Sequence, residues 1–356
     1  MKKICIKIGS NVLTTKTGEL HKKRIKNIVY QISELRKKNV QCILVSSGAV
    51  AAGRSKVNLS DKTDTISARQ IWSSVGQVEL LNVYSSFLKE YNIECAQVLV
   101  TKEDFRTREH YLNMKNCIES LLQNGILPII NENDAVSVTA LMFTDNDELS
   151  GLIASMMNAE ALYLLSNING IYTGNPDDAN STLLSTVNGN MNKLKQYITT
   201  QKSNFGRGGM LTKCSIAGRV AKSGIGVHIA NGMIDNIVLQ LINSPDRVKH
   251  TKFIASKKAS TVKQWLAGSD GFEKAKITIN AGAEDALSSD KASSLLPIGV
   301  IDIKGSFEKG DIVKLVNAKG DVLGLGKTSY NKTKAKGYLG KSGAKPLVHY
   351  DYLFLY

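Results

Sequence analysis

The sequence contains no apolar run approaching the roughly 18 to 20 residues of a membrane span. Its first ten residues, MKKICIKIGS, hold too short an apolar segment for a secretory signal. No membrane role is therefore expected, and a cytoplasmic location is. The cysteines, Cys5, Cys42, Cys95, Cys117 and Cys214, are odd in number, widely spaced and without a C-x-x-C pair. That pattern speaks against a disulfide framework and points to reduced structural thiols. The five histidines show neither H-x-x-x-H nor H-E-x-x-H spacing, which argues against a protein-built zinc centre. Also missing is the common phosphate loop, in which a glycine run ends G-K-[S/T] directly after a strand; the nearest approach, NFGRGGMLTK at 204–213, orders its residues differently.

What is present is ordinary globular material: 356 residues, 42% apolar and 22% charged, enough for a sizeable core and two domains. The net charge of +15 raises the question of nucleic acid, so its distribution matters. Lys+Arg exceed Asp+Glu by 27 to 20 over residues 1–244, by 6 to 3 over 245–273 and by 13 to 8 over 274–356. An excess spread this evenly suits solubility, anionic substrates or weak nucleic-acid contact alike and selects no partner.

The first 244 residues read as repeated strand-then-helix units. KKICIKIG (2–9) is a β-type run, followed by Ile25, Ile28, Val29, Ile32 and Leu35 at the spacing of one helix face. VQCILVSS (40–47), IECAQVLVT (93–101), ILPIINEND (126–134), EALYLLSN (160–167) and GVHIANG (226–232) are further strands, with helices expected over about 66–91 and 104–124. A hairpin is expected across Val136 to Phe143, delivering Asp145, Asn146 and Asp147 to the start of an apolar helix. Near-continuous apolar strands alternating with helices predict an α/β fold, an open and mostly parallel sheet sandwiched by helices. Residues 245–273 read as a basic linker with a helix near Val262 to Leu266. Residues 274–356, short strands separated by glycines, read as a small β-barrel-like domain.

In such sheets the ligand lies beyond the carboxyl ends of the strands. Those ends are small or polar: Gly9-Ser10-Asn11, Ser46-Ser47-Gly48, Asn131-Glu132-Asn133-Asp134 and Ser166-Asn167. Lysines, small residues and an acidic cluster without a nucleophile–histidine pair fit phosphoryl transfer, which needs cations and oriented N–H groups more than covalent chemistry. Lys7, directly before Ile8-Gly9, is either a solvated strand lysine or one aimed into a cleft. Gly208 and Gly209 stand ahead of Met210, Cys214, Ala217, Val220 and Ala221 at helical spacing. They form either a plain turn or an anion site at a helix N-terminus, with Lys213 one turn in. Asp145 and Asp147 either favour a helix dipole or orient the lysines and lie near a nucleotide's magnesium.

KIGSNVL, VSSGAVAAG, INENDAV, DNDELS, LLSNINGIYT and GRGGMLTK resemble, in order and approximate spacing, the glutamate 5-kinases of the amino-acid kinase family. SSLLPIGV and VHYDYLFL resemble the PUA domain that many bacterial members carry C-terminally. The resemblance covers almost the whole chain. The pairing of INENDAV with DNDELS points to glutamate rather than to the aspartate, acetylglutamate, carbamate or UMP of related kinases. It implies ATP-dependent phosphorylation of the glutamate γ-carboxylate, the first step of proline biosynthesis, with ATP and Mg²⁺.

By this resemblance Lys7 and Lys213 hold the transferring phosphate and Asp147 organises them. Ser47, Asp134 and Asn146 bind glutamate, Asp134 through the substrate ammonium. Gly9, Ser166 and Asn167 lie by the nucleotide, and Arg207, Gly208, Gly209, Met210, Leu211, Thr212 and Lys213 form the phosphate-side loop. Many relatives carry Thr-Asp in place of Ser166-Asn167 and Thr in place of Arg207, so the nucleotide end here is more positive. Homo-oligomers, proline feedback and transfer of product to glutamyl phosphate reductase are further implications. Two other readings stay open. One is an RNA-binding protein on a retired kinase scaffold, for which Tyr330, Tyr338, Tyr350, Tyr352, Phe354 and Tyr356 offer stacking rings. The other is the same fold acting on a different acid.

Overall fold

The computed structural model describes residues 2–137, 142–143, 145–178, 180–188, 210–256, 260–267, 269, 271–289, 293–341 and 343–356. The chain divides into two compact units, Met1–Ser256 and Lys257–Tyr356.

The first unit is built on an eight-stranded sheet of order β3-β4-β2-β1-β5-β7-β8-β6. Its strands are β1 (Lys2–Ile8), β2 (Val40–Ser46), β3 (Cys95–Val100), β4 (Leu127–Glu132), β5 (Ala161–Ser166), β6 (Thr186–Val187), β7 (Gly226–Asn231) and β8 (His250–Phe253). All neighbours are parallel except β7 and β8. The central strands are covered on both faces, which is why they read as unbroken apolar runs instead of alternating ones.

On one face Ile4, Ile6 and Ile8 join a core with Ile25, Ile28, Val29, Ile32 and Leu35 of α2 (Lys22–Lys37), which follows the short α1 (Ser10–Leu13). Leu80, Val83, Tyr84 and Leu88 of α4 (Thr65–Lys89) complete it. On the other face Cys5 Sγ lies 3.9 Å from the Ser150 carbonyl oxygen of α6 (Asn146–Met156). Alternation along β1 therefore turns Lys7 toward α6 and away from the isoleucine core.

Between β2 and α4 lies α3 (Ala49–Arg54), entered through Gly48 at φ 98°, a conformation glycine adopts without strain. The two helices cross at glycines: a Cβ on Gly53 would fall 1.8 Å from the Trp72 carbonyl oxygen, and one on Gly76 would fall 1.8 Å from that of Ala49. α4 starts where Asp64 accepts from the amides of Ile66 and Ser67, both at 3.0 Å.

Some elements differ from expectation. The helix expected over 104–124 is a 3₁₀ turn, Lys102–Phe105, followed by α5 (Arg108–Gln123); Asp104 bonding back to Thr101 closes the first, and Thr107 caps the second. Within the stretch 245–273 read as a linker, His250–Phe253 is β8, antiparallel to β7 inside the main sheet, and Thr261–Ala267 is a helix of the second unit, where one was expected near Val262 to Leu266. A four-residue strand in a basic stretch leaves too little periodicity to see. β6, two residues long, was missed for the same reason. The expected hairpin falls largely on residues 138–141, outside the described residues.

The second unit holds a separate five-stranded sheet of order β10-β9-β11-β12-β13. Its strands are β9 (Ala275–Ile279), β10 (Val300–Gly305), β11 (Ile312–Val316), β12 (Val322–Thr328) and β13 (Val348–Leu355). Ile277, Ile279, Val313, Leu315 and Val348 form its core. Of the aromatic residues considered for stacking, Tyr330 and Phe354 are buried, and the Tyr330 hydroxyl donates to the Lys345 carbonyl at 3.1 Å. Tyr350 and Tyr352 are exposed.

Candidate active site

Strands β4, β2, β1 and β5 are consecutive in the sheet, so their polar carboxyl ends form one row. Two helices complete the site. α6 begins beside this row, capped by Asp145, whose Oδ1 accepts from the amides of Asp147 at 2.9 Å and Glu148 at 3.1 Å. α7 (Met210–Lys222) packs on α6 at Gly151, where an added Cβ would sit 3.0 Å from both Ile216 and Val220. Lys213 shares that face of α7, three residues before Ile216 and seven before Val220, while Asp147 lies one turn before Gly151. The absence of a side chain at Gly151 thus lets α7 come close enough for Lys213 to reach Asp147.

The result is one buried carboxylate between two ammonium groups. Asp147 Oδ1 lies 2.5 Å from Lys7 Nζ, and Oδ2 accepts from Lys213 Nζ. Asp147 is 1% exposed and Lys7 5%. Burial pushes the Asp147 carboxyl up, but the two ammoniums outweigh it and hold the group well below the usual carboxylate range. Burial likewise disfavours the Lys213 ammonium, and the charge of Asp147 more than compensates, so its pKa is raised. The trio carries a net charge of +1, fixed in a region poor in water. Such a charge attracts an anion strongly.

Asp145 differs from its neighbour. Its carboxyl is raised by burial first and by the negative charge of Asp147 second, against Lys213 and Lys7. Among the described residues its Oδ2 is buried without a hydrogen-bond partner. An orphaned carboxylate oxygen beside an anion site has the donor chemistry that Mg²⁺ takes, a hard oxygen ligand leaving room for phosphate oxygens. The residues present therefore fit that ion.

A second group is centred on Asn146. Its Nδ2 lies 2.8 Å from Asn131 Oδ1, 3.0 Å from Ser47 Oγ and 3.2 Å from the Ser46 carbonyl oxygen, tying the ends of β2 and β4 to the start of α6. Ser47 and Asn146 are thus in direct contact, next in sequence to the charged trio. Asp134 belongs to a third group. Its Oδ1 accepts from Arg69 Nε at 2.8 Å and from Arg69 Nη2, and its Oδ2 lies 3.5 Å from Ser73 Oγ.

At the β5 end, Ser166 Oγ accepts from the Ile168 amide at 3.3 Å, and Asn167 is exposed. Gly9 is tied to the same end, donating to the Leu165 carbonyl at 3.0 Å, and a Cβ on it would lie 3.7 Å from Lys7 Nζ. Among the loop residues, Leu211 is exposed and Met210 and Thr212 are half-buried at the start of α7. Arg207, Gly208 and Gly209 lie outside the described residues.

Sequence reasoning missed Arg69, Ser73, Asn131 and Glu132 as parts of one assembly. Asn131 and Glu132 stood in a polar strand tip and were visible as such. Arg69 and Ser73 lie in a long helix whose polar residues carry no motif, and only the packing of α4 against the end of β4 brings them in.

The chain resembles known proteins over both of its units. The Amino acid kinase family model matches residues 2–231, and the PUA domain model matches residues 275–350. The chain is 51% identical over 354 residues to a glutamate 5-kinase of Bacteroides thetaiotaomicron, covering 99% of this chain and 98% of that one. It is 46% identical over 359 residues to a glutamate 5-kinase of Chlorobaculum tepidum, covering 99% and 97% respectively. To one of Dehalococcoides mccartyi it is 36% identical over 344 residues, covering 94% and 91%.

Proposed function

Since the chain belongs to the amino acid kinase family and shares its full length with glutamate 5-kinases, we propose that it transfers the γ-phosphoryl group of ATP to the γ-carboxylate of L-glutamate, opening proline biosynthesis. The observation that carries this reading is the carboxylate of Asp147 held between Lys7 and Lys213.

A glutamate side chain, with a pKa of about 4.3, is ionised at neutral pH, so the nucleophile needs no general base. The obstacle is repulsion between that carboxylate and a triphosphate. Lys7 and Lys213 meet it by placing two ammoniums where charge spreads over the transferring phosphoryl group. Asp147 takes no part in the bond changes. It sets the direction of both lysines and keeps Lys213 protonated. The first amides of α7 add further donors. Asp145 would hold Mg²⁺, which would supply further neutralisation of phosphate charge. On the other side Ser47 and Asn146 orient the amino acid, and Asp134 takes its ammonium. The oxygen of the γ-carboxylate forms the new P–O bond as the bond to ADP breaks, giving γ-glutamyl phosphate.

The test is incubation with MgATP and glutamate, trapping the acyl phosphate as its hydroxamate. Turnover with glutamate, and its loss of about a hundredfold or more in Lys213→Ala, is expected from removing one charge-stabilising contact. Absence of hydroxamate with glutamate, or its formation with aspartate instead, overturns the assignment. A retired scaffold that only binds RNA is not favoured, because the Lys7–Asp147–Lys213 set is complete.

A homo-oligomer is proposed as well. Ile71, Val75 and Val78 of α4 are exposed at one-turn spacing, a stripe that a partner would cover, and a monomer by light scattering would remove this reading. The product is a labile acyl phosphate, so glutamyl phosphate reductase is its proposed recipient, in the cytoplasm. Among the described residues no helix is long and apolar enough to cross a membrane.

A further inference from the structure

α4 presents a polar stripe to the end of β4. Arg69, Ser73 and Gln77 follow at intervals of four residues, and all three turn toward it. Arg69 holds Asp134, Ser73 approaches the same carboxylate, and Gln77 Nε2 lies 3.5 Å from the Glu132 carbonyl oxygen. Gln70 adds a bond to the Ala135 carbonyl at 2.6 Å. Ser73 is 1% exposed and Gln77 7%, whereas Val78 on the opposite side is 62% exposed. A helix that buries polar residues and exposes apolar ones is organised around what its polar side grips.

What it grips is a pair of acids. Asp134 and Glu132 are 6% and 4% exposed, two residues apart, and Arg69 Nη2 approaches Glu132 Oε2 at 3.7 Å. Glu132 Oε1 is engaged elsewhere, accepting from Ser137 Oγ at 3.1 Å and from the Phe143 amide at 2.9 Å. Two buried carboxylates so close disfavour each other's charge. The effect is visible on Glu132, which burial first and Asp134 second push up to about 7, against the Phe143 amide, Ser137 and Arg69. Arg69 is the cation placed against both acids.

We infer that Arg69 is a positioning residue for substrate recognition: by taking Oδ1 of Asp134 through Nε and Nη2, it holds that carboxylate oriented, leaving Oδ2 to receive the ammonium of the amino-acid substrate. The inference rests on the assignment of Asp134 to the ammonium. Ser73 contributes only a long contact to Oδ2, so that oxygen retains the capacity to accept a charge-assisted hydrogen bond. Without Arg69 the two acids have no described counter-charge. With Glu132 already pushed up to about 7, the pair then gives up part of its negative charge, and an ammonium is drawn to it less. Arg69 carries a fork of fixed donors, whereas lysine offers a single mobile charge, so Arg69→Lys keeps the charge and loses the orientation.

The experiment is steady-state kinetics of the full chain with MgATP, varying glutamate between about pH 6 and 9, for the parent, Arg69→Met, Arg69→Lys and Asp134→Ala. For Arg69→Met the KM for glutamate is expected to rise at least tenfold at pH 7, several times more than kcat falls, and to recover as pH rises and the acid pair ionises. Arg69→Lys is expected to lie between the two, with a pH dependence nearer the parent's. A KM and pH profile in Arg69→Met equal to the parent's, while Asp134→Ala raises KM, overturns the inference alone. A KM unchanged in Asp134→Ala overturns the ammonium assignment beneath it. A parallel fall of kcat and kcat/KM in Arg69→Met, with a lowered thermal midpoint and no recovery at high pH, shows a merely structural arginine and also overturns the inference.

Discussion

Replacing Asp147 by asparagine tests the centre of the proposed mechanism, because it preserves shape and removes only the charge between the two lysines. Both ammoniums then remain, facing a neutral amide. At an effective dielectric of about 20, two unit charges bridged by one carboxylate and so a few ångströms apart repel each other by on the order of 3 kcal/mol. Lys213 feels a second change. Its pKa is raised in the parent because Asp147 outweighs burial, and in the variant the burial stays while the carboxylate is gone. The Lys213 ammonium is then lost at a lower pH.

The assay is kcat by hydroxamate trapping across roughly pH 6.5 to 9.5 at saturating MgATP and glutamate. The expected result is a loss of about a hundredfold in kcat at pH 8, the rate equivalent of about 3 kcal/mol. The alkaline limb of the profile is also expected to move to lower pH than in the parent. A variant within about threefold of the parent, with its alkaline limb in place, would falsify the idea that Asp147 acts by holding two charges together.

Three further outcomes are expected. Asn146→Ala removes the amide that joins Ser47 and Asn131, and should raise the KM for glutamate about tenfold, the cost of about one good hydrogen bond, with little change in the KM for ATP; equal effects on both would place Asn146 elsewhere. Gly76→Ala puts a methyl group 1.8 Å from the Ala49 carbonyl oxygen, backbone against side chain, so the α3–α4 crossing must open at a cost of about 3 kcal/mol or more, read as a lowered midpoint of urea unfolding. His228 is buried against His250 and Tyr163, and its pKa is pushed down to about 4 by burial first, then by His250 and Lys252. Its neutral form therefore contributes no pH dependence above the unfolded value near 6.5, and stability is lost as pH falls from there toward 4, by about 3 kcal/mol in all. His228→Phe should flatten that acid limb of the unfolding free energy, and an unchanged limb counts against the assignment.

Much of the first unit was legible because burial on both faces leaves a one-dimensional trace. Strands such as VQCILVSS and EALYLLSN had to be continuously apolar and had to stop where the sheet meets solvent, so both their extent and their polar ends could be read. The break between the 3₁₀ turn and α5 was carried by caps at Thr101, Asp104 and Thr107, which the apolar spacing of 104–124 hides. β8 was invisible because a short strand beside β7 needs only four residues, and three buried ones among lysines do not make a pattern. Lys7 shows the limit at a single position. Its neighbours placed it on a strand pointing away from the isoleucine core, but whether it met water or a partner depended on α6.

The residue order alone determined the succession of strands and helices, the polar ends of the strands, and the cast of charged groups, Lys7, Asp145, Asp147 and Lys213. Backbone periodicity and the exclusion of charge from a covered sheet operate locally, and so they are written into neighbouring residues. Which of those charges touch was decided by tertiary structure. Asp147 lies 140 residues from Lys7 and 66 from Lys213, and they meet only because α6 lies on β1 and Gly151 lets α7 approach. The same holds for Arg69, 65 residues from Asp134, which became part of the candidate site when α4 laid its polar side on the end of β4. Pairing between distant charges is a property of packing, and packing is set by how helices seat on the sheet and not by any short stretch of sequence.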